Sequence, residues 1–346
     1  MRIFLDIGHP AHVHYFRNTV KSLMNDGHKF LITAREKDIT HKLLDNYDIP
    51  YISRGKGGSN LINKFFYLFK ANHQLFILSR KFKPDLFISF ASPYAGQVAY
   101  FLNIPHISFT DTEHAKLGIL AFLPFCDLVV TPTAYKDNFG KKHIYFNGYM
   151  EQCYLEKKYF TPNINSLIDL NINNNKKYII IRLVSWEASH DIGQKGVKIE
   201  SLLKLINKLK NYATIFISSE GKIPRELKKY RLSIDPTKMH DVLYYATLFI
   251  GEGATMASEC ALIGTPSIYI NTLSTGYLEE QQKYGLVYMF NSMQGVKDKA
   301  LDILSQKNIK EIQQEKSSKI LKKKIDVNKF MKNLILNYQN KILLKN

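Results

Sequence analysis

Residues 248–268, LFIGEGATMASECALIGTPSI, contain the pattern that decides the fold. The apolar run LFI leads into Gly251, the small residues Gly253 and Ala254 can form a tight turn, and apolar residues at helical spacing follow from Thr255. The stretch closes with a second apolar run after a Gly-Thr-Pro turn. This order predicts a strand, a turn, a helix and a second strand, which is the repeating unit of a parallel sheet covered by helices.

The same order of elements recurs along the whole chain. Residues 2–7, RIFLDI, predict a buried strand, and the helix that follows is expected to close at Gly27, where a left-handed cap residue is favoured. Further strands are predicted at residues 29–34, 86–90, 104–109, 128–131, 178–183, 214–218, 248–251 and 267–270. Strands that alternate with helices in this way predict parallel sheets with helices on both faces.

A polar, asparagine-rich segment at residues 163–177 separates two halves that share this pattern. A chain of 346 residues is too long for one comfortable hydrophobic core and suits two domains. We therefore predict an α/β protein with two doubly wound, Rossmann-like domains, residues 1–168 and 169–325, that face a cleft. A C-terminal helix within residues 326–346 is expected to pack back on the first domain.

The composition, with 45% hydrophobic and 23% charged residues, is ordinary for a folded globular chain. A cytoplasmic location is expected. No apolar run reaches the roughly 18 residues that a membrane span needs. The amino terminus lacks the apolar segment and cleavage site of a secretory signal. The three cysteines, Cys126, Cys153 and Cys260, are far apart and lack the spacing of metal ligands. We therefore expect them to be small core residues in a reducing compartment.

The net charge of +18, from 48 basic and 30 acidic residues, indicates either an anionic partner or solvated, lysine-rich helix faces. The chain has no zinc-finger, RRM or KH motif, so nucleic acid is not an expected partner. A phosphate-bearing substrate and an anionic membrane surface remain as candidate partners.

Residues 60–70, NLINKFFYLFK, combine aromatic residues with lysines. As a helix, this segment suits peripheral attachment to anionic lipid on the inner face of the cell membrane. A core helix flanked by solvated lysines has the same composition and is the alternative.

The turn at Gly253, Ala254 and Thr255 is the strongest candidate for an anion site. Because it joins a strand to a helix, backbone N–H groups and the positive end of the helix dipole are expected to point at one place. Glu259 follows about one helical turn later, where its carboxylate can accept hydrogen bonds from ribose hydroxyls. An ordinary strand–turn–helix capped by Thr255 has the same spacing and is the alternative.

Three stretches resemble one known enzyme superfamily: residues 6–16, DIGHPAHVHYF; residues 182–190, RLVSWEASH; and residues 251–259, GEGATMASE. Together with residues 240–266 they are similar to enzymes of the GT-B fold. These include nucleotide-sugar glycosyltransferases of the lipid II-forming type and non-hydrolysing UDP-N-acetylglucosamine 2-epimerases. Over nearly its full length, the chain is most similar to an uncharacterised prokaryotic family assigned to this superfamily.

The resemblance implies that the second domain binds a nucleotide-diphosphate sugar, with the diphosphate at Gly253, Ala254 and Thr255 and the ribose at Glu259. It implies a glycosyltransferase that moves the sugar to a hydroxyl acceptor in envelope or polysaccharide synthesis. A lipid-linked or glycan acceptor is expected in the first domain, and no cofactor or metal is required. The alternatives are a nucleotide-sugar 2-epimerase and a non-catalytic nucleotide-sugar-binding protein.

Three histidines, His9, His12 and His14, follow the first strand. Ligands of open α/β sheets bind beyond the carboxyl ends of strands, so this turn is expected to face the site. His9 is predicted to be the general base for the acceptor hydroxyl, with His12 and His14 orienting it or beginning the helix. GT-B transferases commonly have a glycine-rich loop here, so their acceptor chemistry does not transfer directly. Structural histidines are the alternative.

Asp111 and Glu113 follow the strand predicted at residues 104–109 and are the other catalytic candidates. Neighbouring carboxyl and imidazole groups can share acid–base work, although these carboxylates can equally hold a basic neighbour. In the epimerase alternative they would move a proton together with His190.

Further substrate contacts are predicted at the ends of two strands in the second half. Arg182 is expected to pair with a phosphate, and Ser185 to bond the same group. Ser218 and Glu220 are predicted to form a second wall of the nucleotide pocket. Trp186, the single tryptophan, either stacks on a base or sugar or belongs to the core.

Overall fold

The computed structural model describes residues 1–58, 61–170, 172, 176–184, 197–219, 221 and 223–339. The chain forms two compact units. Unit 1 contains Met1–Tyr154 and the chain from Ile325 onward, and unit 2 contains Leu155–Lys324. Each unit is a parallel sheet with helices, so the predicted α/β class with two doubly wound domains is confirmed.

The two units divide after Tyr154, whereas the sequence predicts a boundary after residue 168. The intervening residues belong to unit 2 because they are bonded to one of its helices. The hydroxyl of Ser166 donates to Asp241 Oδ2 at 2.6 Å, and the N–H of Asn163 donates to Asp241 Oδ1 at 3.0 Å. Polar composition alone does not distinguish a linker from a surface segment that packs on a domain.

Unit 1 has a seven-stranded parallel sheet with the order β3-β2-β1-β4-β5-β6-β7. Its strands are β1 Arg2–Ile7, β2 Lys29–Ala34, β3 Ile52–Ser53, β4 Leu86–Phe90, β5 His106–Phe109, β6 Leu128–Pro132 and β7 His143–Phe146. Ile3 pairs with Phe30 of β2 on one side and with Leu86 of β4 on the other. The strand order therefore changes direction between β1 and β4, where ligands of such sheets commonly bind.

The helices described before the unit boundary are α1 Pro10–Asn25, α2 Thr40–Asn46, α3 Leu61–Phe82, α4 Pro93–Phe101, α5 Lys116–Phe122 and α6 Gln152–Leu155. The boundary itself falls within α6. Pro10 stands in the first turn of α1, where its missing N–H costs nothing. Beyond α1, Gly27 has a φ of 86°, which confirms the predicted left-handed cap. Within the described part of the chain, no helix is long and apolar enough to cross a bilayer.

Unit 2 has a five-stranded parallel sheet with the order β12-β11-β10-β8-β9. Its strands are β8 Tyr178–Leu183, β9 Thr214–Ser219, β10 Leu248–Gly251, β11 Ser267–Ile270 and β12 Val287–Phe290. Its helices are α7 Ile199–Leu209, α8 Met239–Tyr245, α9 Ala254–Leu262, α10 Gly276–Lys283, α11 Val296–Ser305 and α12 Ile309–Leu321. Here the direction of the strand order changes between β8 and β10.

The last described helix, α13 Val327–Gln339, lies against α1 in unit 1. The hydroxyl of Thr19 donates to Asn328 Oδ1 at 2.9 Å, and both side chains are buried. Lys332 Nζ pairs with Asp26 Oδ2 at 2.6 Å. The chain therefore leaves unit 1, builds unit 2 and then returns.

Apolar side chains on the sheets and helices form the cores. In unit 1, the rings of Phe4 and Phe87 stack at 4.7 Å between centroids, beside Leu75 and Val98 of the covering helices. In unit 2, isoleucines of β8, β10 and β11 pack against α7 and α11. All three cysteines are buried, as the sequence predicts for small core residues.

Candidate functional site

The turn between β10 and α9 in unit 2 leaves a helix end open. Gly253 is the N-cap residue of α9, in an extended conformation, and no described side chain caps the helix. The first bond inside the helix runs from the N–H of Ala257 to the carbonyl of Gly253, at 3.2 Å. Residues Gly253, Ala254 and Thr255 are partly exposed. The first-turn N–H groups and the helix dipole are therefore available to an anion, and Thr255 lies inside the helix rather than capping it.

Glycine at the end of β10 allows this turn to approach its neighbours closely. A Cβ atom on Gly251 would stand 2.6 Å from the ring of Phe249 and 3.0 Å from Cβ of Arg182. At Gly253 the nearest atom to such a Cβ would be Cγ1 of Val184, at 3.4 Å. Only the first of these two glycines is therefore required by packing.

Arg182 and Ser218 lie together beside this turn. Arg182 is the last residue but one of β8 and pairs with Gly251 in the sheet register, and its Nη1 donates to the hydroxyl of Ser218 at 2.6 Å. Ser218 is buried and belongs to β9. Arg182 therefore lies at the change in strand order, next to the strand that leads into α9, and its guanidinium is bonded to β9. The other predicted contacts here, Ser185, Trp186, His190 and Glu220, lie outside the described residues.

Glu259 lies in α9, one turn beyond the open end, and is held by a histidine that the sequence analysis did not single out. Its Oε1 is 2.9 Å from Nε2 of His240, which lies in the first turn of α8, and both side chains are buried. This contact fixes the orientation of the carboxylate. Because the pair joins residues 19 positions apart, helical periodicity could not reveal it.

Glu252, between the two glycines of the turn, is a second carboxylate that the sequence analysis gave no role. Its Oε1 accepts from the N–H of Val197 at 2.6 Å, and its Oε2 accepts from the N–H of Val184 at 3.3 Å. Its backbone carbonyl accepts from Nδ2 of Asn271 at 3.1 Å. One buried side chain therefore ties the end of β8 to the start of α7. A glutamate set between two glycines directly after an apolar strand was the available signal.

A cavity of about 390 Å³ lies beyond the carboxyl ends of β10, β11 and β12, within unit 2. Its polar lining consists of Lys198, Ser201, Glu252, Asn271, Thr272, Asn291, Ser292 and Gln294, and its apolar lining of Val197, Ile270 and Met293. Amides and hydroxyls both donate and accept hydrogen bonds, so this lining suits a ligand rich in hydroxyl groups.

In unit 1, His9 caps α1 at the end of β1. Its Nδ1 accepts from the N–H of Ala11 at 3.2 Å. A neutral imidazole that accepts at Nδ1 carries its proton on Nε2. His9 can take up a proton at Nδ1 only when the cap bond opens, and its role as a general base stays a prediction.

The other two histidines of this loop have surroundings that keep them structural or neutral. Nδ1 of His12 accepts from the N–H of Gly8 at 3.3 Å, and burial lowers the pKa of His12 to about 3, with the charges of Lys37 and Arg54 adding to the effect. His14 is buried against the ring of Tyr154, at 4.9 Å between centroids.

A buried ion pair holds the strand end that precedes the histidine loop. Nε and Nη2 of Arg54 donate to Asp6 Oδ1 and Oδ2 at 2.8 and 3.1 Å, and both residues are almost fully buried. Asp6 also accepts from the hydroxyls of Thr33 at 2.7 Å and Ser92 at 2.5 Å. Nη1 of Arg54 donates to the hydroxyl of Tyr67 at 2.8 Å. These bonds fix the ends of β1 and β4, where the strand order changes direction.

Asp111 and Glu113 follow β5 and are both buried. Burial raises the pKa of Asp111 to about 7; the charge of Glu113 adds to the shift, and a 2.8 Å bond from the Thr112 hydroxyl opposes it. Glu113 accepts from the N–H of Lys136 at 3.3 Å. A carboxyl that exchanges its proton near neutral pH suits acid–base chemistry. Since β4 separates β1 from β5, these residues and His9 follow two strands of the same sheet that lie about 10 Å apart.

Replacing Asp111 with asparagine should stabilise the protein, relative to the wild type, more at high pH than at low pH. The pKa of Asp111 is raised in the folded state, so its contribution to stability is complete below the unfolded pKa and is lost as pH rises through about 7. The difference in unfolding free energy between Asp111→Asn and the wild type should therefore increase by roughly 1–3 kcal/mol between about pH 5 and about pH 8. Denaturant titrations at both pH values measure it. Asp137→Asn, at an exposed position of the same unit, is the control. If Asp111→Asn changes the unfolding free energy equally at both pH values, the raised pKa of Asp111 is contradicted.

Solved structures show the fold of this chain. It is similar to the Staphylococcus aureus protein MnaA in a co-structure with UDP, with a TM-score of 0.72, 14% identity and coverage of 98% of this chain and 97% of the other. UDP-GlcNAc 2-epimerase from Neisseria meningitidis, bound to UDP-GlcNAc, has a TM-score of 0.63, with 12% identity and coverage of 93% and 99%. The kitacinnamycin glycotransferase has a TM-score of 0.64, with 11% identity and coverage of 98% of both chains. The GT-B-like fold implied by the sequence resemblance is thus confirmed.

Sequence comparison identifies closer relatives. The chain is 27% identical over 277 residues to the uncharacterized protein MJ0665 of Methanocaldococcus jannaschii, which covers 77% of this chain and 80% of that protein. The sequence family described as protein of unknown function DUF354 matches residues 1–338. The match spans both units, and the chain therefore belongs to the DUF354 family.

Proposed function

We propose that this protein is a glycosyltransferase that moves a sugar from a nucleotide-diphosphate sugar to a hydroxyl acceptor in envelope or polysaccharide synthesis. The observation that carries the proposal is the open first turn of α9, with Arg182 beside it and the carboxylate of Glu259 one turn further on. The helix end suits the diphosphate of a nucleoside diphosphate, and the buried carboxylate at this spacing suits its ribose hydroxyls.

In the proposed donor complex, the diphosphate accepts hydrogen bonds from the backbone at Gly253, Ala254 and Thr255 and pairs with Arg182. Glu259, oriented by His240, accepts from the ribose hydroxyls. The cavity beyond β11 and β12 takes the sugar, because its amide and hydroxyl lining can bond sugar hydroxyls. The relatives of similar fold that bind UDP or UDP-GlcNAc make uridine nucleotides the first probes.

In the proposed transfer, the acceptor oxygen attacks the anomeric carbon and its proton passes to a base. The bond between the sugar and the diphosphate breaks, and its electron pair leaves with the nucleoside diphosphate. The end of α9 and Arg182 stabilise this leaving charge, so the step requires no metal. His9 is the proposed base, and Asp111, whose pKa burial raises to about 7, is suited to share the proton transfer.

Replacing Glu259 with alanine should weaken binding of the nucleotide sugar by about tenfold or more, because one charge-assisted bond to the ribose is lost. Isothermal titration calorimetry with UDP, GDP, CMP and dTDP sugars measures the effect and selects the base. Glu315→Ala, an exposed glutamate on α12 of the same unit, is the control and should bind normally. If no nucleotide sugar binds the wild-type protein, the proposal is wrong.

A nucleotide-sugar 2-epimerase is the second candidate, and the Asp111–Glu113 cluster favours it. Two neighbouring carboxyl groups, one with a pKa raised to about 7, suit the removal and return of a proton at one carbon. Incubation of the protein with UDP-GlcNAc in deuterated water, without an acceptor, separates the two functions. An epimerase produces a deuterated epimer and no free UDP, whereas a transferase releases UDP only when an acceptor is present. Binding without either product would indicate a non-catalytic protein.

A further inference from the structure

The solvent-facing stripe of α3 in unit 1 is apolar where a surface helix is normally charged. Six of its large side chains are exposed: Ile62, Phe65, Phe66, Phe69, Phe76 and Ile77. Phe65 is 57% exposed and Phe66 is 66% exposed, and their ring centroids lie 6.0 Å apart. Single exposed apolar residues are common on protein surfaces, but six along one helix, with Lys70 and His73 between Phe69 and Phe76, indicate an interaction surface.

The charged residues of this stripe are all basic. Lys70, Arg80 and Lys81 are exposed among the apolar residues, and the 22 residues of α3 include no aspartate or glutamate. The stripe therefore presents aromatic rings and cations together, without carboxylates to neutralise them.

Two neighbouring helices extend this surface. The described contacts place α4 against α3 and α5 against α4. Tyr100 and Phe101 of α4 are 63% and 75% exposed, and Leu117 and Leu120 of α5 are 66% and 65% exposed. Neither α4 nor α5 contains an acidic residue, and Lys116 adds a further exposed cation. We call the exposed residues of α3, α4 and α5 the aromatic–basic surface.

We propose that the aromatic–basic surface docks unit 1 on an anionic phospholipid bilayer. Aromatic and aliphatic side chains favour the boundary between headgroups and acyl chains, and lysine and arginine are attracted to anionic headgroups. A second copy of the chain is a poorer occupant, because a two-fold interface would bring this cationic surface against itself. The proposal is independent of the reaction, and an enzyme with a lipid-linked acceptor would work at such a bilayer.

Vesicle co-sedimentation of the full-length protein tests the proposal. Wild-type protein should sediment with equimolar phosphatidylcholine and phosphatidylglycerol vesicles and only weakly with phosphatidylcholine alone. Replacing both Phe65 and Phe66 with serine should lower the partition coefficient on the anionic vesicles by about tenfold or more. Ile168→Ser, a 68% exposed position in unit 2, is the matched control and should leave partitioning unchanged.

A second pair of variants tests the charge and guards against misfolding. Lys70→Glu together with Lys81→Glu should reduce binding to anionic vesicles by about tenfold, because each basic residue near the surface contributes to attraction. Unchanged thermal unfolding of both double variants excludes loss of structure as the cause. Equal partitioning on neutral and anionic vesicles, or no binding to either, would overturn the proposal. A dimer that dissociates in the Phe65→Ser/Phe66→Ser variant would also overturn it and assign the surface to a second copy.

Discussion

Replacing Asp6 with alanine is expected to lower the unfolding free energy of unit 1 by about 3–5 kcal/mol. Asp6 is 0% exposed and Arg54 is 3% exposed, so the variant leaves a guanidinium buried without its counter-charge. The hydroxyls of Thr33 and Ser92 also lose their acceptor. Desolvating such groups without partners costs more than losing any exposed ion pair.

Urea titration of the full chain, followed by circular dichroism, measures this loss, and hydrogen exchange of β1 peptides assigns it to unit 1. Glu36→Ala is the control. Glu36 pairs with Lys56 at 3.5 Å in solvent, so its loss should lower the unfolding free energy by less than about 0.5 kcal/mol. Adding Arg54→Met to Asp6→Ala should recover part of the loss, since the buried charge is then removed. Equal losses for Asp6→Ala and Glu36→Ala would contradict the argument.

Replacing Gly264 with alanine is expected to destabilise unit 2 by about 2–5 kcal/mol, the sum of backbone strain and overpacking. Gly264 has a φ of 73°, which a side chain disfavours. A Cβ atom there would also stand 2.5 Å from Cγ of Gln314, 2.7 Å from its Cα and 2.9 Å from its N. These contacts belong largely to the backbone of α12, so relief requires that the helix move away from the end of α9.

Gly285→Ala separates the two causes. Gly285 has nearly the same φ, 67°, and lies in the same unit, but its close neighbour is the flexible end of Lys316 at 3.0 Å. Only the backbone term should remain, so the expected loss is about 1–2 kcal/mol. Urea titration followed by hydrogen exchange of unit 2 peptides compares the two variants. If Gly264→Ala and Gly285→Ala lower the unfolding free energy equally, the contact with α12 does not contribute to the loss.

Buried strands with glycine boundaries were predictable from the sequence. The predicted strands 248–251 and 267–270 coincide with β10 and β11, and α9 begins at Ala254, one residue before the predicted start at Thr255. The reason is that an uninterrupted apolar run beside glycine leaves few alternative structures. The strands β3, β7 and β12 were missed: β3 has two residues, and β7 mixes His143 and Tyr145 with apolar residues. Such edge strands depend on pairing rather than on local composition.

The candidate site was predictable only where one local motif forms it. The turn Gly253, Ala254 and Thr255 is continuous in sequence, and its open helix end followed from spacing. The partners that orient buried carboxylates come from distant segments: Arg54 lies 48 residues from Asp6, and His240 lies 19 residues from Glu259. Local periodicity does not report such pairs, and neither does it report how far burial raises the pKa of Asp111.

The return of α13 to unit 1 determines the order in which the chain can fold during synthesis. Unit 2 is built from one continuous segment, Leu155–Lys324, and can close its core as soon as that segment leaves the ribosome. Unit 1 must wait longer, because Thr19 finds its partner Asn328 only 309 residues later. Nascent unit 1 therefore exposes the α1 face that α13 covers throughout translation of unit 2. The half of the protein made first is the last to be completed.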